Sequence, residues 1–376
     1  MASSGSVDMF IKSFSVQNYK NFKEKYTLDF SDVKDYSYGK QCISNGMIKN
    51  AIIYGKNAAG KTNFGLAMLD ITCHLVDKNA IPQSFGSYVN ADSSDPAAKF
   101  SYVFVNGEDE YRYDYTKAGA RKLLSEELYY NGKTVFTFDY IQNKGDLSHL
   151  REYHLNTLNW KFSEKGMSVL RYMANNLTLE DNNPVNAIMK FVNGMLWFRS
   201  LGNGNNYIGF MAATEDMSEY IIRNGYVEEF QGFLKEYGVD ENIAVISTPD
   251  GGRALYFKHK KLVPFIFASN GTHALLTFFY WYKHAKDMTF LFIDEFDAFY
   301  HYELAEKIVK LLEEKYSIQV VLTSHNTGLL SNRIMRPDCY FLLLKDHLTS
   351  LANSTDRELR MGYNLEKLLR NGEFDG

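Results

Sequence analysis

The chain has 376 residues, 45% of them hydrophobic and 23% charged, with 27 Tyr and 27 Phe, so burial can offset the entropy of ordering most of it and a disordered chain is excluded. A net charge of -4 removes any global electrostatic pull toward nucleic acid or membrane surfaces and leaves only local basic patches. Cys42, Cys73 and Cys339 form no CxxC pair, which disfavours a zinc site or a disulfide framework and suits a reducing compartment.

In chain order, residues 1–8 are Ser- and Gly-containing and read as a flexible tail without the apolar stretch of a signal peptide. No later run reaches the roughly 18 apolar residues of a spanning helix, so a cytoplasmic protein is expected. Residues 9–148 are strand-rich. "MFIKSFSVQNY" and "YTLDF" read as a hairpin, and "NAIIYG" as a strand that feeds a Gly-rich loop and a helix over 62–76. "KFSYVFV", "EYRYDYT", "EELYYNG" and "TVFTFDY", with Asn106-Gly107 and Asn131-Gly132 among the residues between them, read as an antiparallel meander.

Residues 149–240 show mostly helical spacing, in "GMSVLRYMANNLTLE", "NAIMKFVNGMLWF" and "MSEYIIRNGYVEEFQGFLKEYG", and read as a helical insert. Over 241–376 the pattern becomes strands alternating with helices, as expected of parallel βαβ units. There "FLFID" precedes a helix over Glu303–Lys315, and "IQVVLTS" precedes "NTGLLSN". The expected fold class is α/β: a P-loop core with an antiparallel β subdomain and a helical insert. No heptad run of a coiled coil is present.

Three stretches carry chemistry. Gly55-Lys56-Asn57-Ala58-Ala59-Gly60-Lys61-Thr62 fits G-x-x-x-x-G-K-[ST] between a strand and a helix. Small residues let backbone N–H groups wrap a β-phosphate, Lys61 adds positive charge toward the β- and γ-oxygens, and the Thr62 hydroxyl can ligate Mg²⁺. In "FLFIDEFDAFYH" Asp294 emerges at the carboxyl end of a buried strand, where it would hold the metal, and Glu295 is the candidate general base toward water. The next strand ends in Thr323-Ser324-His325, which puts His325 where a γ-phosphate would lie. The three expected catalytic residues are therefore Lys61, Glu295 and His325.

More than 230 positions separate the P-loop from the acidic strand. With that spacing, the chain resembles ABC-type ATPases of the RecF/SMC/OLD-like group, including stand-alone ATP-binding proteins of bacterial anti-phage loci such as PARIS and Septu. The resemblance rests on "FIKSFSVQNYKNFKE" with Asn18, Tyr19, Asn21 and Phe22, on Asn63 directly after the P-loop, on "FIFASNGTHALLTFF" at the place of the ABC signature, on "IDEFDAFYH", on "LTSHN" and on the tail "LRMGYNLEKLLRNGEFDG".

The resemblance implies ATP and Mg²⁺ as cofactors and slow hydrolysis of ATP to ADP and phosphate. It also implies a homodimer or higher oligomer in which Ser269, Asn270 and Gly271 of one copy close over the ATP of another. Asn270 departs from the family's LSGGQ, and an ordinary Ser N-cap with Asn-Gly turn chemistry would read the same locally. Asp297 resembles the D-loop acid, and His301 falls where relatives carry His-Pro; either residue also suits a plain surface. Gln83 lies in the region of the glutamine that senses the metal, in a stretch that reads equally as a polar loop.

No Toprim or HNH nuclease segment is expected, so the implied role is a sensor and scaffold acting on a separate effector, a nuclease or a toxin, in anti-phage defence. A RecF-like DNA clamp is the alternative, with Lys20, Lys23, Lys25 and "KHKK" at 258–261 as phosphate contacts. The overall acidic balance disfavours nucleic acid, and no membrane partner is expected.

Overall fold

A computed structural model describes residues 9–76, 87–153, 167–180, 183–200, 207–209, 215–249 and 251–374. The first hairpin is as expected, β1 (Phe10–Gln17) against β2 (Tyr26–Asp29), with Phe14 opposite Leu28. A small ladder of β3 (Ile43–Ser44) and β4 (Met47–Ile48) leads to β5 (Asn50–Tyr54), buried along its whole length. Two short helices follow, α1 (Lys61–Met68) and α2 (Asp70–Leu75).

The aromatic runs then form a meander of β6 (Ala98–Asn106), β7 (Asp109–Gly119), β8 (Lys122–Tyr130), β9 (Lys133–Asp139) and a short β10 (Lys144–Asp146). Their alternation puts Phe100, Tyr102 and Phe104 of β6, and Tyr111, Tyr113 and Tyr115 of β7, on the buried face. The turn between β8 and β9 has Asn131 at φ 49° and Gly132 at φ 75°, the left-handed pair that a tight hairpin turn demands. The sheet closes in the order β10-β9-β8-β7-β6-β1-β2.

The segment expected as a helical insert holds α3 (Val169–Asn176), α4 (Pro184–Asn193), α5 (Met217–Arg223) and α6 (Val227–Glu236), but also two strands, β11 (Met195–Arg199) and β12 (Tyr207–Gly209). β11 pairs in parallel with a central strand of the second sheet, which corrects the reading of 149–240 as helical throughout: the segment also lends a strand to the core sheet. Gly194 caps α4, and the all-apolar "MLW" beyond it has no period of its own by which to tell strand from helix.

A second correction concerns the start of the C-terminal part. β13 (Ile243–Ser247), β14 (Arg253–Lys258) and β15 (Leu262–Pro264) form a separate antiparallel sheet and not βαβ units. Parallel topology begins later, with α7 (Asn270–Lys283), β16 (Phe290–Asp294), α8 (Tyr302–Lys315), β17 (Gln319–Thr323), β18 (Tyr340–Leu343), β19 (Leu348–Ser350) and α9 (Leu365–Arg370). After β17 the "NTGLLSN" stretch makes a 3₁₀ turn over Thr327–Leu329.

The core sheet runs β12-β11-β16-β17-β5-β18-β19. Its five central strands are parallel and the two edges antiparallel. The fold class is therefore the expected α/β core with an antiparallel β subdomain, and among the described residues there is no long coiled coil. Helix α1 lies tight on this sheet: a Cβ on Gly65 would sit 2.5 Å from the Phe292 ring and 2.8 Å from Trp197 Nε1, so only glycine permits the approach.

Candidate active site

The carboxyl ends of β5, β16 and β17 lie side by side in the parallel ladders, where ligands bind in open α/β sheets. From β5 the chain enters the Gly55–Thr62 loop with Ala58 at φ 62° and Gly60 at φ 104°. A side chain at Gly60 would come within 2.3 Å of the Asn21 amide. That amide donates from Nδ2 to Ala59 O at 3.0 Å and accepts at Oδ1 from Asn63 Nδ2 at 2.7 Å. Asn63 thus donates its amide to Asn21, and the pair braces the loop from outside.

Lys56, Asn57 and Ala58 are exposed at the crest of the loop, and Lys61 at its base is 6% exposed. Lys61 Nζ donates to Gly55 O at 2.8 Å and lies 3.4 Å from His325 Nδ1, so the fold brings His325 beside the P-loop lysine. Burial lowers the pKa of the Lys61 ammonium, while Asp294 and Glu295 oppose that shift.

Asp294 is fully buried. Its Oδ2 accepts from Thr62 Oγ1 at 2.8 Å and its Oδ1 from Thr323 Oγ1 at 2.8 Å. Burial raises its pKa, and the two hydroxyls and Arg199 pull it back. Thr323 Oγ1 also accepts the Glu295 N–H at 2.8 Å, which fixes the turn where Glu295 takes the left-handed φ of 50°.

The Glu295 carboxylate is held by Arg199, with Nη2 at 2.8 Å and Nε at 3.2 Å from Oε2. Arg199 and Thr323 are site residues that the sequence reading missed. Thr323 had been seen as the end of its strand, but nothing in the local pattern around Arg199 marks it as part of the site.

The remaining candidates sit apart. Ser324 Oγ donates to Asp297 Oδ2 at 2.7 Å, and burial raises the Asp297 pKa. Ser269 caps α7, its Oγ accepting from the Thr272 N–H at 3.2 Å. A Cβ on Gly271 would lie 3.1 Å from Phe299 O, so the α7 tip rests on the segment that follows Asp297. Ser269 and Asn270 are exposed. Directly before them Ile266 is 75% and Phe267 76% exposed. Gln83 lies outside the described residues.

The donor set fits a magnesium-bound triphosphate. A hydroxyl and a carboxylate facing each other are the hard oxygen ligands that Mg²⁺ takes alongside phosphate. The left-handed positions at Ala58 and Gly60 shape a backbone concavity for an anion at the start of α1.

Residues 182–331 match the family model described as "AAA domain, putative AbiEii toxin, Type IV TA system". In this span the chain is similar to AAA-type ATPase domains. The span takes in Arg199, the Ser269 tip, Asp294, Glu295 and His325, and leaves out the P-loop. Solved structures with a related chain course include the SMC head domain from Thermotoga maritima, at 15% identity and a TM-score of 0.43, covering 91% of this chain and 98% of that one.

Others are an SMC head domain bound to the C-terminal domain of ScpA, derived from Pyrococcus furiosus, at 13%, 0.46, 91% and 96%, and the recombination mediator RecF at 12%, 0.42, 91% and 98%. No curated protein matches the chain. Among the described residues no helix is long and apolar enough to cross a membrane.

Proposed function

We propose that this chain is a Mg²⁺-dependent ATPase that pairs with a second copy around ATP and acts as sensor and scaffold for a separate effector, a nuclease or a toxin, in bacterial anti-phage defence. One observation carries the ATPase reading: Thr62, from the loop after β5, and Asp294, from the end of β16, meet at 2.8 Å beside Lys61 and His325.

Bound Mg²⁺ would neutralise charge on the β- and γ-oxygens, with Thr62 and Asp294 as its protein ligands. Lys61 binds the terminal phosphates, the loop N–H groups orient them, Glu295 accepts the proton of the attacking water, and His325 contacts the γ-phosphate.

Dimerisation is supported by Ile266 and Phe267, two adjacent large apolar side chains exposed close to the Ser269 tip; contiguous exposed apolar surface is a feature of interaction sites. Ser269, Asn270, Gly271 and Asp297 are assigned to that interface. The matching family's description refers to a toxin and a type IV toxin–antitoxin system, which agrees with a defence setting.

Hydrolysis by the purified chain tests the enzymatic part: Glu295→Gln is expected to lower kcat by about 10²- to 10⁴-fold with ATP still bound. If the variant hydrolyses ATP as fast as the wild type, Glu295 is not the base. Co-expression with neighbouring reading frames tests the effector: a nuclease or toxin is expected to co-purify with the Glu295→Gln chain, and no such partner in any nucleotide state removes the scaffold role.

A further inference from the structure

We propose that Arg199 gates the metal at this site: in the nucleotide-free chain its guanidinium takes the place of the divalent ion, so that the ion enters only together with the triphosphate. The inference rests on the ATPase reading and adds an order of binding to it.

The geometry makes one cation serve two acids. Asp294 Oδ2, the oxygen that faces the Thr62 hydroxyl at 2.8 Å, also lies 3.5 Å from Arg199 Nε. The same guanidinium holds Glu295 Oε2 through Nη2 at 2.8 Å. The backbone of Arg199 is anchored in the sheet. Arg199 stands opposite Asp294 in the parallel ladder of β11 and β16, and the next N–H, of Ser200, donates to Asp294 O at 3.1 Å. A second cation, Lys61, is held close by through Gly55 O.

A bare divalent ion approaching Thr62 and Asp294 therefore meets a positive charge already paired with its ligand. Asp294 is fully buried, so its carboxylate feels the charges around it with less solvent screening than an exposed acid would. A triphosphate reverses the balance, because its negative oxygens engage Lys61 and the loop N–H groups and bring the ion with them. Arg199 is 36% exposed, which leaves it room to withdraw from Asp294 while keeping Glu295. In the loaded site it is then a positioning residue: its planar fork fixes the Glu295 carboxylate that faces the water.

The test is Mn²⁺ binding to the nucleotide-free protein, read by electron paramagnetic resonance, for wild type, Arg199→Ala, Arg199→Gln and Arg199→Lys. The neutral variants are expected to bind free Mn²⁺ at least about tenfold more tightly than wild type, a gain that mere structural damage would not give. Arg199→Gln is read in the same way if Arg199→Ala does not fold. Arg199→Lys keeps the charge and loses the fork, so it is expected to exclude free Mn²⁺ as wild type does, with kcat lowered and KM little changed.

Unchanged or weaker Mn²⁺ binding in the neutral variants overturns the proposal, as does tight binding in Arg199→Lys. Mg²⁺–ATP binding by the wild type, measured alongside, separates the two failures. If it is absent, the ATPase reading falls and takes the gate with it. If it is present without the Mn²⁺ gain, only the gate falls.

Discussion

At the residue scale the site is a set of short polar contacts around one buried carboxylate, and its pH behaviour follows from that burial. The folded-state pKa of Asp294 is raised from the ordinary 3.8, so the folded chain takes up a proton there more readily than the unfolded chain. A raised carboxyl contributes stability at acid pH that is lost as pH rises through the folded value. Urea unfolding of nucleotide-free Asp294→Asn and wild type is expected to show a gap that moves in favour of the variant from acid to neutral pH; a gap independent of pH would contradict the shift.

Metal binding has the opposite sign, because it needs the ionised carboxylate. Mg²⁺–nucleotide affinity is expected to fall on acidification, starting above 3.8. At this scale Lys61, Thr62, Asp294 and Glu295 stood out in the sequence as candidates, because the P-loop pattern and the acidic end of an apolar strand are specific in residue type and spacing, and the fold brings them together. Arg199 was invisible: it reaches Glu295 across 96 positions, from a stretch whose spacing resembles a helix. Asn63 was seen, but its bond to Asn21 was not, since only the folded loop brings the two amides together.

At the scale of elements, a buried ion pair ties the antiparallel sheet to α2, the second helix after the P-loop. Lys117 continues the inward series of Tyr111, Tyr113 and Tyr115 on β7, and its Nζ meets Asp70 Oδ2 of α2 at 2.6 Å with both side chains fully buried. Tyr115 and Tyr88 donate to the same carboxylate at 3.0 and 2.8 Å.

Lys117→Met leaves the Asp70 charge without its cation and is expected to cost about 3–5 kcal/mol, read as a lowered urea midpoint; a loss within about 0.5 kcal/mol, the range of neutral surface changes, would show that the pair does not join the two parts. The meander that carries Lys117 was legible, because β-branched and aromatic alternation between turn residues has one reading. β11 and the β13–β15 sheet were not. The apolar run of β11 has no period, and the Gly251-Gly252 turn between β13 and β14 was passed over in favour of helices farther along.

For the whole molecule, the proposed switching requires a second copy. The residues proposed to hold phosphate and metal, on the P-loop and at the end of β16, meet within one chain, while the Ser269 tip is exposed beside two open apolar side chains, Ile266 and Phe267. Fold class was legible at this scale from strand order and motif spacing, whereas pairing between copies leaves no periodic mark in a sequence.

The most direct measurement is the solution mass of Glu295→Gln with Mg²⁺–ATP, compared with ADP, by sedimentation velocity. A twofold mass is expected with ATP, a single-chain mass with ADP, and a single-chain mass with ATP still bound once Phe267→Asp is added. A Glu295→Gln chain that binds ATP and stays at single-chain mass at every protein concentration would contradict the proposed pairing.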